Sequence, residues 1–214
     1  MKTLKLRNVI AVVTGALMLV GAEVTVASAN PGGTAPAAAN LLCFSGTTDG
    51  FGYGGTCAIT SRNGTTATLT LNGENANGDY AGVYLHKANL AGVALGNVTQ
   101  LGYTYSDNGG ITPTPGDLSL NIGIDTNGDG LTNAYAYVDA YYCPGTGGVV
   151  SVTSDQGCGI VFNDTLYSNW AALVAANPGD TVATDGLPFI VAEQTPNTAN
   201  VIWDISNVNM GKAS

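Results

Sequence analysis

The sequence predicts an all-β protein, an antiparallel β-sandwich or jelly roll with one short helix and two disulfides. Three observations predict it. Ten short runs of β-branched, aromatic and alternating residues recur between Cys57 and Met210, and Gly, Asn, Asp and Pro fill the intervals, as turn residues do. So many half-apolar strands need a second sheet on which to bury one face. Four cysteines, at 43, 57, 143 and 158, follow an apolar leader, and an even count after such a leader signals a disulfide framework.

Residues 1–29 read as a secretory signal. Lys2, Lys5 and Arg7 precede "VIAVVTGALMLVGA", and Ala27-Ser28-Ala29 supplies the small residues of a cleavage site. The apolar core is short for a membrane span and no second one follows, so the expected product is a secreted, extracellular protein without a membrane anchor. Cleavage removes three basic residues and one acid; Arg62, Lys87 and Lys212 then stand against fourteen carboxylates, a formal charge of −11. That balance excludes nucleic acid as a partner, since phosphate binding rests on clustered Lys and Arg. Residues 30–40, "NPGGTAPAAAN", read as a flexible lead, and residues 41–214 as one domain.

Within the domain, "CAITSRNGTTATLTL" is the first hairpin, with Asn63-Gly64 suited to the positive φ of a type I′ turn. The remaining strand-like runs are "YAGVYLH", "NVTQLGYTYS", "DLSLNIGI", "NAYAYVDAYY", "GVVSVTS", "CGIVF", "LPFIVAE" and "NVIWDISNVNM". "TLYSNWAALVAANPGD" departs from this pattern: Ser168 or Asn169 can cap a helix and Pro178 can stop it. The four cysteines allow three connectivities. Local pairing, Cys43 with Cys57 and Cys143 with Cys158, is expected because each pair encloses a Gly-rich segment that needs a constraint. The lack of C-x-x-C and the single histidine, His86, disfavour zinc.

"GIDTNGDGLTN" places Asp125, Asn127 and Asp129 at alternate positions before Gly130. A hard cation gathers six to eight oxygens, so side chains from alternate residues can converge while the glycine turns the backbone; Leu131 would add its carbonyl and Asn133 a further ligand. Ala136 stands where an EF-hand has its bidentate Glu, and strands flank the loop, so an EF-hand is excluded. The segment resembles the D-x-N-x-D-G loops of secreted calcium-binding β proteins. Two readings stand: a calcium site completed by a distant acid, with Asp107, Asp117 and Asp139 as candidates, or a tight turn that binds nothing.

Alternation puts Tyr135, Tyr137, Asp139 and Tyr141 on one face of their strand. If the preceding strand packs Leu118, Leu120, Ile122 and Ile124 inward, the tyrosines face outward beside Ser119 and Asn121. Such rings can take the apolar faces of sugars while phenol, amide and carboxylate groups bind hydroxyls; the same residues can equally stabilise a sheet by pairing across strands. Tyr103 and Tyr105 extend either a core layer or this platform, whereas Trp170 and Trp203 are expected in the core.

The strand pattern, the acidic glycine loop and the closing "NVIWDISNVNMG" together resemble secreted jelly-roll modules of the carbohydrate-binding kind, over the C-terminal half of the chain. Ser206 stands where that family often has an acid. The resemblance implies non-catalytic binding of a glycan or cell-surface polymer, with a structural calcium. The alternatives are a structural or self-assembling envelope protein and a secreted hydrolase. An enzyme is not expected: no G-x-S-x-G elbow accompanies His86, and only two glutamates, Glu74 and Glu193, remain after the leader. The oligomeric state stays open.

Overall fold

The computed structural model describes residues 40–47, 54–72, 78–86, 90–143, 148–151, 158–195 and 200–212. The chain divides into two compact units, Met1–Ala35 and Pro36–Ser214. The first, and with it the expected secretory signal, lies outside the described residues, as does the flexible lead apart from Asn40.

Thirteen strands and one α-helix are described: β1 (Asn40–Thr47), β2 (Thr56–Ile59), β3 (Ala67–Thr70), β4 (Asp79–His86), β5 (Val98–Asp107), β6 (Leu118–Asp125), β7 (Ala134–Asp139), β8 (Val149–Ser151), β9 (Ile160–Phe162), β10 (Thr165–Tyr167), α1 (Trp170–Ala176), β11 (Thr181–Val182), β12 (Phe189–Glu193) and β13 (Ile202–Lys212). One sheet runs β1-β4-β12-β6-β7-β9-β10, with β11 also paired to β6; the other runs β2-β3-β13-β5-β8. Four nested antiparallel pairs, β3 with β13, β4 with β12, β5 with β8 and β6 with β7, form the frame. This is a long hairpin wound around a sandwich, the jelly-roll arrangement.

One apolar core lies on the inner faces. Leu69, Leu101, Tyr103, Trp203 and Ile205 come from the five-stranded sheet, and Val83, Leu120, Ile122, Val138, Phe162 and Ile190 from the eight-stranded one; all are at most 1% exposed. Strict alternation explains β6, where Leu118, Leu120, Ile122 and Ile124 are fully buried. In β13 the alternation is broken on purpose. A bulge between Ser206 and Asn209, with Asn207 at φ 49°, resets the pleat, so that Val208 and Met210 follow Trp203 and Ile205 inward.

Both disulfides are local, Cys43–Cys57 and Cys143–Cys158, as expected. The first ties β1 to β2, the edge strands of opposite sheets. The second closes the excursion in which the chain leaves the eight-stranded sheet, adds β8 to the other, and returns for β9. Loops of 14 and 15 residues gain about 3 kcal/mol each from closure entropy. Among the described residues no helix is long and apolar enough to cross a membrane.

The structure departs from expectation in four places. Asn40, assigned to the lead, opens β1, and Phe44 to Thr47, the start of the Gly-rich segment between Cys43 and Cys57, is strand, because Asn40 to Thr47 pair residue for residue with His86 to Asp79. Thr165–Tyr167 is strand β10 rather than the approach to the helix. Only Gly64 of the first hairpin turn has positive φ, 69°, so the turn is not type I′; Ser61 Oγ instead accepts from the amides of Thr65 and Thr66 at 2.8 and 2.9 Å. β7 ends at Asp139, whose carboxylate accepts from the Tyr141 amide and caps a 3-10 turn, Ala140–Tyr142. The helix itself forms as anticipated: Asn169 Oδ1 caps the Ala172 amide at 2.8 Å, and Trp170 and Leu173 are its buried side.

Candidate functional site

The outer face of the eight-stranded sheet is aromatic. Register sets it: Leu42 lies opposite Tyr84, Tyr84 opposite Phe189, Phe189 opposite Asn121, and Asn121 opposite Tyr137. The next rows add Phe44, Val191, Ser119 and Asp139 on one side and Tyr135 on the other. Ring centroids follow one another across the sheet, Tyr80 to Phe44 at 6.4 Å, Phe44 to Tyr84 at 4.5 Å, Tyr84 to Phe189 at 6.0 Å, Phe189 to Tyr135 at 6.0 Å and Tyr135 to Tyr137 at 6.3 Å. Six rings from four strands thus form a connected band over a face that solvent reaches. They are tilted by 37° to 70° along this path rather than coplanar, so the band twists with the sheet.

Two glycines make room for it. A Cβ at Gly82 would run into the Phe44 ring, and one at Gly46 into the Tyr80 hydroxyl. Each glycine is the direct cross-strand partner of the ring that covers it, and only a residue without a side chain lets the ring lie on the strand.

Of the residues singled out from sequence, Tyr135, Tyr137 and Asp139 share this outer face. Tyr135 is 40% exposed and Tyr137 half-buried. Asn121 is on the same face but only 2% exposed, between Phe189 and Tyr137, with Nδ2 donating to Ser119 Oγ at 3.0 Å. It orders the floor of the band and offers little surface to a ligand. Tyr141 leaves the row, because the chain turns at Asp139; its ring packs edge-on to Tyr142. Tyr103 and Tyr105 belong to the inner side with Trp203, Tyr105 packing edge-on to that indole at 5.7 Å. Trp170 and Trp203 are both buried, and Trp170 Nε1 donates to the Leu95 carbonyl. Sequence reasoning missed Phe44, Tyr80, Tyr84, Phe189 and Glu193. They come from three strands, β1, β4 and β12, each at an alternate position, and only strand order reveals that these strands lie beside one another in the sheet that holds β7.

Carboxyl groups edge the band at the Asp139 end. Glu193 lies opposite Asp117 and Tyr80, and Asp139 opposite Ser119. Burial pushes the Asp139 carboxyl up to about 6, against the amides of Gly116 and Tyr141, and the Asp117 charge adds to the rise. Burial also raises Glu193, with Asp139 contributing. The same cause, burial first, raises Tyr137, which feels Tyr135, Glu193 and Asp164 as well. Asp117 is fully buried; its Oδ2 accepts from the Thr114 amide and hydroxyl, and its Oδ1 has no partner.

The Asp125 loop lies at the opposite end of the β6–β7 hairpin. Asp125 accepts from the amides of Asn127, Gly128 and Gly130 at 3.1, 2.7 and 2.8 Å. Asn127 Oδ1 accepts from Asp129, Asp129 Oδ1 from Leu131, and Asn133 Oδ1 from Thr126. Gly128 and Gly130, both at φ 83°, permit these turns. Burial opposes the Asp125 charge, but the amides of Gly130, Gly128, Asn127 and Asp129 outweigh it and hold the carboxyl below its usual range.

The acid that reaches this loop is none of the three candidates. Asp117 and Asp139 sit at the far end of the hairpin, roughly 20 Å away for a six- to seven-residue strand, and Asp107 ends β5 in the other sheet, accepting from the amides of Gly109 and Ile111. Asp185 arrives instead, accepting from Thr132 N and Oγ1 at 3.0 and 2.6 Å, while Thr184 Oγ1 donates to the Gly130 carbonyl at 2.8 Å. β11 brings them there by pairing with Ile124 and Asp125. Asp180, raised first by burial, also feels the Asp125 charge. Among the described residues no three of His, Cys, Asp and Glu are placed to hold a metal; Asn127, Thr184 and the loop carbonyls are the other oxygen donors here.

Fold and site together define a disulfide-stapled jelly-roll sandwich with an aromatic outer face. No protein-family model matches the chain, and no curated protein is significantly similar to it.

Proposed function

We propose that this protein is an exported, non-catalytic glycan-binding sandwich that takes a polysaccharide across the outer face of its eight-stranded sheet. The six-ring band carries the reading. A monomeric sandwich has little reason to leave such a row partly open to solvent, and rings flanked by carboxyl and phenol groups suit the alternating apolar and hydroxylated surface of a sugar chain. The twist of the band fits a solvated chain better than the flat face of a crystalline polymer. Export is consistent with two disulfides, which persist in oxidising compartments. In a binding series against soluble oligosaccharides, Tyr137→Ala should lower affinity about tenfold, the loss of one stacking contact of 1–2 kcal/mol. Unchanged affinity would count against the face. A blank series together with oligomers in light scattering favours the assembly reading, in which Leu42 and Leu166, exposed on β1 and β10, contact another copy.

Calcium at the Asp125 loop is part of the same proposal, as a stabiliser of the hairpin end. The donors are all oxygen, as a hard cation requires. Bound only to the native state, the ion would raise the melting temperature by mass action. EDTA should therefore lower it and added calcium restore it; melting indifferent to both would remove the ion from the account.

A further inference from the structure

We propose that the outer face holds two ring platforms parted by Phe189, and therefore takes a glycan whose linkages turn successive sugar rings out of one plane rather than a flat ribbon. This deepens the glycan reading and rests on it. The attitudes of the rings carry the argument. Phe44 lies down across β4, since its ring fills the space that a Cβ at Gly82, its cross-strand partner, would take. Tyr80 lies over Gly46 in the same way, and Tyr84 is tilted from Phe44 by only 37° at 4.5 Å. These three rings make one platform, on β1 and β4. Tyr135 and Tyr137, inclined to one another by 43°, make the other, on β7.

Phe189 belongs to neither platform. Its ring is inclined by 80° to Phe44, 67° to Tyr84 and 70° to Tyr135, so beside a Phe44 that lies down it stands up as a ridge. In the strand order β4-β12-β6-β7 the two platforms are three strand spacings apart, about 14 Å, and sheet twist turns their outer faces by roughly 60 to 75° over that span. A flat ribbon of sugars lying on one platform runs into the upright ring and leaves the other platform facing away. A chain that turns between residues can seat one sugar on Tyr84, pass Phe189 and seat another on Tyr135 or Tyr137. Phe189 then walls both seats, offering one face to each. Stacking on both platforms also needs more than a disaccharide, because neighbouring residues of a sugar chain are closer together than the platforms are.

The test is calorimetric titration of the full chain with laminarihexaose and maltohexaose, whose linkages turn each ring against the last, with cellohexaose, the flat ribbon of the same sugar, and with laminaribiose and maltose. At least one turned hexamer should bind about tenfold tighter than cellohexaose and about tenfold tighter than its own disaccharide. Phe189→Leu, checked for unchanged melting, keeps an apolar residue and removes the ridge; it should narrow the gap between that hexamer and cellohexaose to about threefold. A role confined to holding the sheet together would instead weaken every sugar by one common factor, and that result overturns the inference. Cellohexaose bound as tightly as the turned hexamers, or a disaccharide as tight as its hexamer, also overturns it and leaves the glycan reading standing; neither comparison needs a variant. No binding by any sugar overturns both.

Discussion

The β6–β7 hairpin carries an aspartate at each end, and the same chain chemistry leaves the two in opposite states. Asp125 is held below the ordinary carboxylate range, whereas Asp139 is pushed up to about 6. Water contact does not separate them, since the side chains are 4% and 7% exposed. Depth and donors do. Asp125 is wrapped by its own loop at the surface and receives three of that loop's amides, from Asn127, Gly128 and Gly130. Asp139 lies beneath more of the protein, receives two amides, and has Asp117 for a neighbour. A loop that folds around a carboxylate stabilises its charge; a sheet that buries one taxes it.

The pH dependence of stability breaks or sharpens that contrast most directly. A carboxyl whose folded pKa is raised binds more protons in the native than in the unfolded chain, so it costs stability as pH rises from about 4 through 6. From the ordinary 3.8 to about 6, Asp139 should cost about 3 kcal/mol by pH 7. The raised Glu193 acts in the same direction. Asp125 and Asp185, both lowered, act oppositely and lose their stabilisation only in stronger acid. Denaturant melts from pH 3 to 8 should show maximal stability in mild acid, with carboxyl NMR placing the Asp139 midpoint near 6; a midpoint below 4.5 would dissolve the comparison.

The next effect tests the other end. Gly130→Ala forces a side chain into φ 83° and toward Thr184 Oγ1, and should cost about 2 kcal/mol of unfolding free energy in denaturant. Gly116→Ala, at φ 94° with open space around it, measures backbone strain without the neighbour and should cost less. The smallest change is Thr184→Val, which removes the bond to the Gly130 carbonyl at an exposed site and should cost roughly 1 kcal/mol. A larger loss from Thr184→Val in calcium than in EDTA would tie Thr184 to an ion.

Much of this was legible in the chain. Alternation placed Leu118, Leu120, Ile122 and Ile124 inward and Tyr135, Tyr137 and Asp139 outward, and the structure agrees, because the two-residue period of a strand is a local property. Local pairing of the cysteines, favoured because each pair encloses a Gly-rich segment, is what the structure has. Tyr141 went astray because the Asp139 side chain turns to cap the following amide, a choice alternation does not contain. The acid at the calcium-like loop was sought among Asp107, Asp117 and Asp139 and came from Asp185, since a two-residue strand, β11, leaves almost no trace in sequence.

By itself, then, the sequence determined which residues of a regular strand share a face and narrowed the helix cap to Ser168 or Asn169, for these rest on spacing along a few residues of chain, and it favoured local pairing of the cysteines among three possible connectivities. Only the tertiary structure decided that β1, β4, β12 and β7 bring their rings into one band and that Asp139 rather than Asp125 is the strained carboxyl. Those outcomes depend on which distant strands become neighbours and how much protein covers a charge, and no local pattern encodes either.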